Sequence, residues 1–195
     1  MNIRSRFSLL VVVFALFFAI PVAIAATAVV HLANNLFKVA LVGRHADWRV
    51  VLRFGVPAAA AATVGAWLLF LFAELPVLVS YTLDGRRHEI TVLKAVIGVL
   101  IVAFAALELS PRFAKLTFPP RYLFFGGLLS GFFGGLSGNQ GIFRSAFLIK
   151  SGLGKDAFVA TGVVSSVIVD TVRLVVYGLS FYTGSFVTLT SEVAG

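Results

Sequence analysis

From Phe7 to Phe37 the chain carries no Asp, Glu, Lys or Arg. That run exceeds the roughly 20 residues that one straight membrane span needs. Pro21 is its natural break, because proline removes a backbone donor and ends or kinks a helix. The run therefore divides into a partial apolar segment over 7–20 and a span over 22–42. The same reading gives spans over 54–73, 91–108 and 156–178, and a glycine-rich, broken one over 122–149. The expected architecture is all-α. It is a polytopic membrane helix bundle of about five to six spans, forming a single integral membrane domain over 1–195.

Composition agrees. Apolar residues make up 59% of the chain and charged residues 12%, with a mean hydropathy of +1.02. Soluble domains hold about half and about a quarter, so a soluble enzyme, a disordered chain and a coiled coil are excluded. Cysteine is absent, which removes disulfides, Cys-zinc sites and thiol chemistry. The net charge of +8 comes from Lys and Arg flanking the apolar runs, the usual topogenic pattern of a membrane protein. Nucleic acid is not an expected partner; the lipid bilayer is. Because successive loops are all basic, charge alone assigns no orientation.

Two local patterns bear on the ends and loops of the spans. Arg4 and Arg6, an apolar run and Ala23-Ile24-Ala25 match a signal peptide, but the apolar run continues to Val42 past that cleavage pattern. Asp84-Gly85, between β-prone residues within 80–89, predicts a small hairpin outside the membrane.

An internal repeat is visible at an offset of 135 residues, which lays 22–43 over 157–178. His31 then meets Ser166, Asn35 meets Asp170 and Lys38 meets Arg173. In each segment these polar residues follow i, i+4, i+7 spacing and share one helix face. A polar stripe on a membrane helix is costly and normally faces the bundle interior or a water-filled cavity. Lys38 and Arg173, one from each repeat, are expected to attract a small anion, with Asn34 and Asn35 as polar lining. The competing readings are that Lys38 snorkels to the interface and that Asp170 and Arg173 form a structural ion pair.

Residues 126–141 hold seven glycines. Their GxxxG spacings suit close helix packing. Packing alone leaves Asn139 and Gln140 unexplained in an apolar stretch. A broken or re-entrant helix explains both, with Gly138 and Gly141 freeing the backbone to meet an anion. Arg144 follows and reaches the same cavity, or else marks the interface. Among His31, His45 and His88 there is no metal-ligand spacing. No P-loop, nucleotide fingerprint or nucleophile elbow occurs, so no catalytic residue, metal or cofactor is expected.

The segment Gly131-Phe132-Phe133-Gly134-Gly135-Leu136-Ser137-Gly138-Asn139-Gln140-Gly141 resembles the glycine-rich signature of the TauE/SafE, or sulfite exporter, family. The resemblance continues through Arg144-Ser145-Ala146-Phe147-Leu148, Ala157–Gly162, Ala26–Lys38 and Ala46-Asp47-Trp48-Arg49, and covers roughly residues 20–180. It implies an inner-membrane (plasma membrane) permease for sulfite, sulfonates or related small organosulfur anions. The residues expected at its site are Lys38, Arg173, Asn34, Asn35, Gly138, Asn139, Gln140, Gly141, Arg144, Asp170 and His31. Asp170 would tune Arg173 or carry a proton. Against the family's pattern, an earlier glycine cluster and the last spans are missing, so a chain shortened at both ends is expected. The alternatives are a non-transporting accessory or assembly protein, or an inactive fragment of such a permease. A homo-oligomer fits the polar faces left without a mate.

Overall fold

The computed structural model describes residues 18, 20–83, 86–111 and 115–182. The partial segment over 7–20 falls almost wholly outside them, as does the chain after 182. Helix α1 (Ile20–Val42) starts with Pro21 in its first turn, where the missing N–H costs nothing. Ala23 and Ile24, from the cleavage-like pattern, are fully buried inside it. A short 3-10 turn, Gly43–His45, leads to α2 (Trp48–Ala73), capped by Asp47, whose carboxylate accepts from the N–H groups of Arg49 and Val50. That cap starts the helix six residues before the uncharged run expected at 54–73, so Arg49 and Arg53 sit within α2.

Strands β1 (Val77–Leu83) and β2 (Arg86–Thr91) pair antiparallel, with Leu83 opposite Arg86. The hairpin expected within 80–89 is therefore present and longer; Asp84 and Gly85 themselves lie outside the described residues. Helix α3 (Val92–Leu109) is capped by Thr91. It joins the bundle through buried Leu93 and Ile97 and through Phe104, which packs edge-on against Phe133 and Phe143. Helices α4 (Leu123–Ser137) and α5 (Gly141–Leu148) follow the 3-10 turn Pro120–Tyr122, and α6 (Lys155–Tyr182) closes the described chain.

The glycine-broken helix is a re-entrant hairpin. Just past the turn, Gln140 O accepts from Ser130 Oγ in the middle of α4 at 2.9 Å. At its base, Phe147 lies against Gly126 and stacks on Phe118 at 4.2 Å, and Phe118 N donates to Ala146 O. So α5 turns back beside α4, toward the face from which α4 entered. Gly138, at φ 81°, makes the reversal; that left-handed region is strained for any residue with a Cβ. The arms of 15 and 8 residues extend about 22 and 12 Å at 1.5 Å per residue, short of a hydrocarbon core of about 30 Å.

Among the described residues, four helices are long and apolar enough to cross a membrane: Val22–His45, Trp48–Ala73, Val92–Leu109 and Lys155–Ser180. Their outward residues, among them Val29, Phe37, Val56, Trp67, Val99 and Val102, are large, apolar and exposed, as a lipid-facing surface requires. Inside, α2 and α4 run parallel with their backbones in contact. A Cβ on Gly127, Gly131 or Gly135 would collide with the carbonyl of Phe54, Ala58 or Ala62, respectively. The four-residue step on both helices is the small-xxx-small pattern, which lets backbones close in where lipid provides no hydrophobic drive.

The repeat is oriented. Ile24 and Ala28 pack with Tyr177, whereas Asn35 reaches Asp170, and the chain just after α1 reaches Thr161 through Asp47 N. Helices α1 and α6 are thus antiparallel, as an inverted pair stands. Asn35 and Asp170, the two positions that the 135-residue offset equates, are in direct contact.

Candidate functional site

The stripe 166, 170, 173 of α6 continues to Tyr177, and the whole of it is buried. Asp170, with no exposure, is its centre. Asn35 Nδ2 of α1 donates to Asp170 Oδ2 at 2.8 Å, and Gln140 Nε2 at the hairpin tip donates to Oδ1 at 3.2 Å. Arg173 Nη2 lies 2.9 Å from the same Oδ1, one helical turn away. His31 Nδ1 stands 3.9 Å from Oδ2 and its side chain is 28% exposed, so it joins the buried network to the surface of α1.

Each contact answers a physical demand. A buried carboxylate requires pairing and several donors, and here it receives them from three separate elements. A guanidinium with no exposure requires the same. Arg173 meets Asp170 and donates through Nη1 to Gly134 O at 3.1 Å. Tyr177 donates its hydroxyl to Gly135 O at 2.6 Å. Gly134 and Gly135 lie in the last turn of α4, where carbonyls run short of intrahelical donors and carry the negative end of the helix dipole; Gly134 O also accepts from Gly138 N at 3.0 Å. The cation and the hydroxyl therefore cap a helix that ends deep in the protein. Glycine at both positions serves packing: a Cβ on Gly134 would crowd Val169 and Gln140, and one on Gly135 would collide with the Ala62 carbonyl.

On the other arm, α5 opens at Gly141, so the positive end of its dipole faces the turn. A Cβ built on Gly141 would meet only Arg144 Nη2, at 4.0 Å. Arg144 is half-buried and donates to Ser166 Oγ, which itself donates to Gly162 O at 3.0 Å. Gly162 leaves room for the guanidinium, whose Nε would lie 3.5 Å from a Cβ there. Asn139, in the turn between Gly138 and Gln140, is half-buried.

The expected site residues thus sort unevenly. His31, Asn35, Gln140, Asp170 and Arg173 come together, with Gly138 shaping the turn; Asn139, Gly141 and Arg144 lie on its open side. Arg173 takes the ion-pair alternative, since Asp170 neutralises it and a helix end occupies its remaining reach. The expectation of an electropositive centre made by Lys38 with Arg173 is corrected accordingly. Lys38 is half-exposed and, among the described residues, no hydrogen bond or ion pair joins it to the network. Asn34 also departs from its expected role: it is exposed, because adjacent helical positions point about 100° apart. Tyr177 and Ser130 were not anticipated. Tyr177 extends the polar stripe of α6 by one more turn, which spacing could have indicated; the bond of Ser130 depends on the chain reversal, which spacing could not.

The arrangement does not resemble a hydrolytic site. Ser166 pairs with a guanidinium in place of a base. Among the described residues, no group of His, Asp and Glu could hold a metal ion. What remains is a re-entrant turn in a membrane bundle, held by a neutralised polar network and flanked by one further arginine and a helix N-terminus.

Comparison with known proteins bears on this arrangement. The family model for the sulfite exporter TauE/SafE matches residues 7–193, a longer stretch than the resemblance over 20–180. No curated protein and no solved structure matches the chain. A match over nearly the whole chain, on a bundle whose described residues include four helices long and apolar enough to cross a membrane and a re-entrant glycine hairpin, means that the protein belongs to the TauE/SafE sulfite exporter family, whose members are membrane transporters and not enzymes.

Proposed function

We propose that this transporter is a secondary permease of the plasma membrane for a small anion such as sulfite, a sulfonate or a related organosulfur compound. The observation that carries the reading is the hairpin tip. The helix N-terminus at Gly141 and the Arg144 guanidinium meet there, with half-buried Asn139 in the adjoining turn, and an anion suits both a helix N-terminus and a planar guanidinium fork. Asp170, Asn35, Gln140 and Arg173 hold the tip in place, Gly138 turns it, and His31 lies between that network and the exposed face. Lys38 and Asn34 stand at the margin of the site and have minor roles.

Sulfite flux into proteoliposomes tests the site. Arg144→Gln is expected to lower flux at least about tenfold, the loss that follows from about 1.4 kcal/mol of anion stabilisation, while Lys38→Gln changes it less than about twofold. Equal losses in both variants, or none in Arg144→Gln, would place the anion elsewhere.

The hairpin also supports an orientation. Because α5 returns beside α4, the segments at 43–47, 115–122 and 149–155 share one face. Arg44, Arg49, Arg53, Lys115, Arg121, Lys150 and Lys155 lie on or near it, against Arg86, Arg87 and Lys94 on the hairpin side. By the positive-inside bias the first face is cytoplasmic. The chain has no cysteine, so single substitutions report cleanly. A membrane-impermeant maleimide applied to intact cells is expected to label Thr82→Cys and to spare Gly152→Cys. The opposite pattern reverses the assignment.

A further inference from the structure

A groove of about 430 Å³ opens on the outer surface where α2 begins and α4 enters, well away from the hairpin tip. Two cations line it, Arg53 from the second turn of α2 and Arg121 from the 3-10 turn before α4. No acidic residue is among its lining residues. Leu52, Val56 and Phe124 form the walls and are 54–60% exposed. Pro57 and buried Leu123 make the floor, where the glycine seam brings α2 and α4 together.

The level of the groove follows from helix length. Helix α2 has 26 residues and is about 39 Å long, roughly 9 Å more than the hydrocarbon core. Its first turns, with Trp48, Arg49 and Arg53, therefore reach the headgroup layer. Exposed Trp48 and Tyr122 sit at the same end, as interfacial aromatics do. The Arg121 guanidinium rests 4.9 Å from the centre of the Tyr122 ring, which steadies it beside the groove.

We infer that this groove binds an anionic phospholipid, with the phosphate between Arg53 and Arg121 and an acyl chain along Leu52, Val56 and Phe124. A free phosphate would use only the two arginines. The apolar walls lead from them toward the lipid-facing surface, the path an acyl chain follows, and this favours a lipid over a soluble anion. The groove lies on the face richest in Lys and Arg. A lipid held there bridges α2 to the base of the re-entrant hairpin.

Native mass spectrometry of the full chain in detergent, titrated with phosphatidylglycerol or phosphatidylcholine, tests this. Phosphatidylglycerol is expected to remain bound at about tenfold lower concentration than phosphatidylcholine. Arg53→Gln with Arg121→Gln should abolish that preference. Val56→Trp, which keeps both arginines and fills the groove, should do the same. Lys150→Gln with Lys155→Gln removes equal charge from the same face and should leave the preference intact. Three outcomes overturn the assignment: a preference that survives both groove variants, one lost equally in the lysine variant, and displacement of the lipid by millimolar glycerol phosphate, which would show that the acyl chain contributes nothing.

Discussion

Replacing Asp170 by Ala is expected to destabilise the bundle by about 3–5 kcal/mol, the usual cost of leaving a buried charge without its partner. Arg173 has no exposure and would keep its guanidinium in the interior without its carboxylate partner. Asn35 and Gln140 would lose their common acceptor at the same time. The damage should therefore extend to α1 and to the hairpin tip, and not stay within α6. The reading is the melting temperature in detergent, followed by size-exclusion chromatography. A second variant separates charge from packing. Asp170→Ala with Arg173→Met removes both charges, and a neutral pair is often tolerated as well as an ionic one, so much of the lost stability should return. If the double variant is no more stable than Asp170→Ala alone, the ion pair is not what the carboxylate contributes.

The second large effect is steric. Gly131→Leu is expected to separate α2 from α4, because a Cβ there already collides with the backbone of Ala58. A flexible side chain could give way, but a helix backbone moves only as a unit. The cost should reach or exceed the upper end of the about 1–3 kcal/mol typical of overpacking. Gly127 and Gly135 lie along the same seam, so the strain cannot be relieved by a shift along the helix. Gly98→Leu on α3 is the matched control, since a Cβ at that position meets nothing within 4 Å. Its melting temperature should stay within a few degrees of the unmodified protein's. Equal melting of the two variants would show that the seam is looser than its geometry indicates.

The sulfite-exporter reading and the lipid groove fail independently. Arg144 belongs to the hairpin tip, whereas Arg53 and Arg121 lie at the base of α4 on the outer surface. Loss of flux in Arg144→Gln with unchanged phosphatidylglycerol binding supports the first without touching the second. The converse separates them in the other direction.

How much could be read without the structure differs from residue to residue. The apolar runs and their prolines determined the helical, membrane-embedded class, because a charge-free run of that length has few other stable environments. The Asp84-Gly85 pair marked the extramembrane hairpin, since the turn is a local property. The 135-residue offset paired Asn35 with Asp170, and the seven glycines marked a broken helix. Each of these is a pattern within one or two segments. Which way α5 leaves the break, by contrast, depends on Phe118, Gly126 and Phe147 meeting at the base, and no spacing in the sequence encodes that. The role of Arg173 was equally undecided. Its i, i+3 relation to Asp170 allowed an ion pair, but the outcome turned on Gln140, Asn35 and the end of α4 arriving from elsewhere to fill the remaining valences. Asn34 and Asn35 are neighbours of one chemical type, and only packing against α6 buried one and left the other exposed. Local chemistry thus determined what each segment is. Long-range contacts decided which charges are neutralised, because a buried charge is stable only beside partners that the fold brings to it.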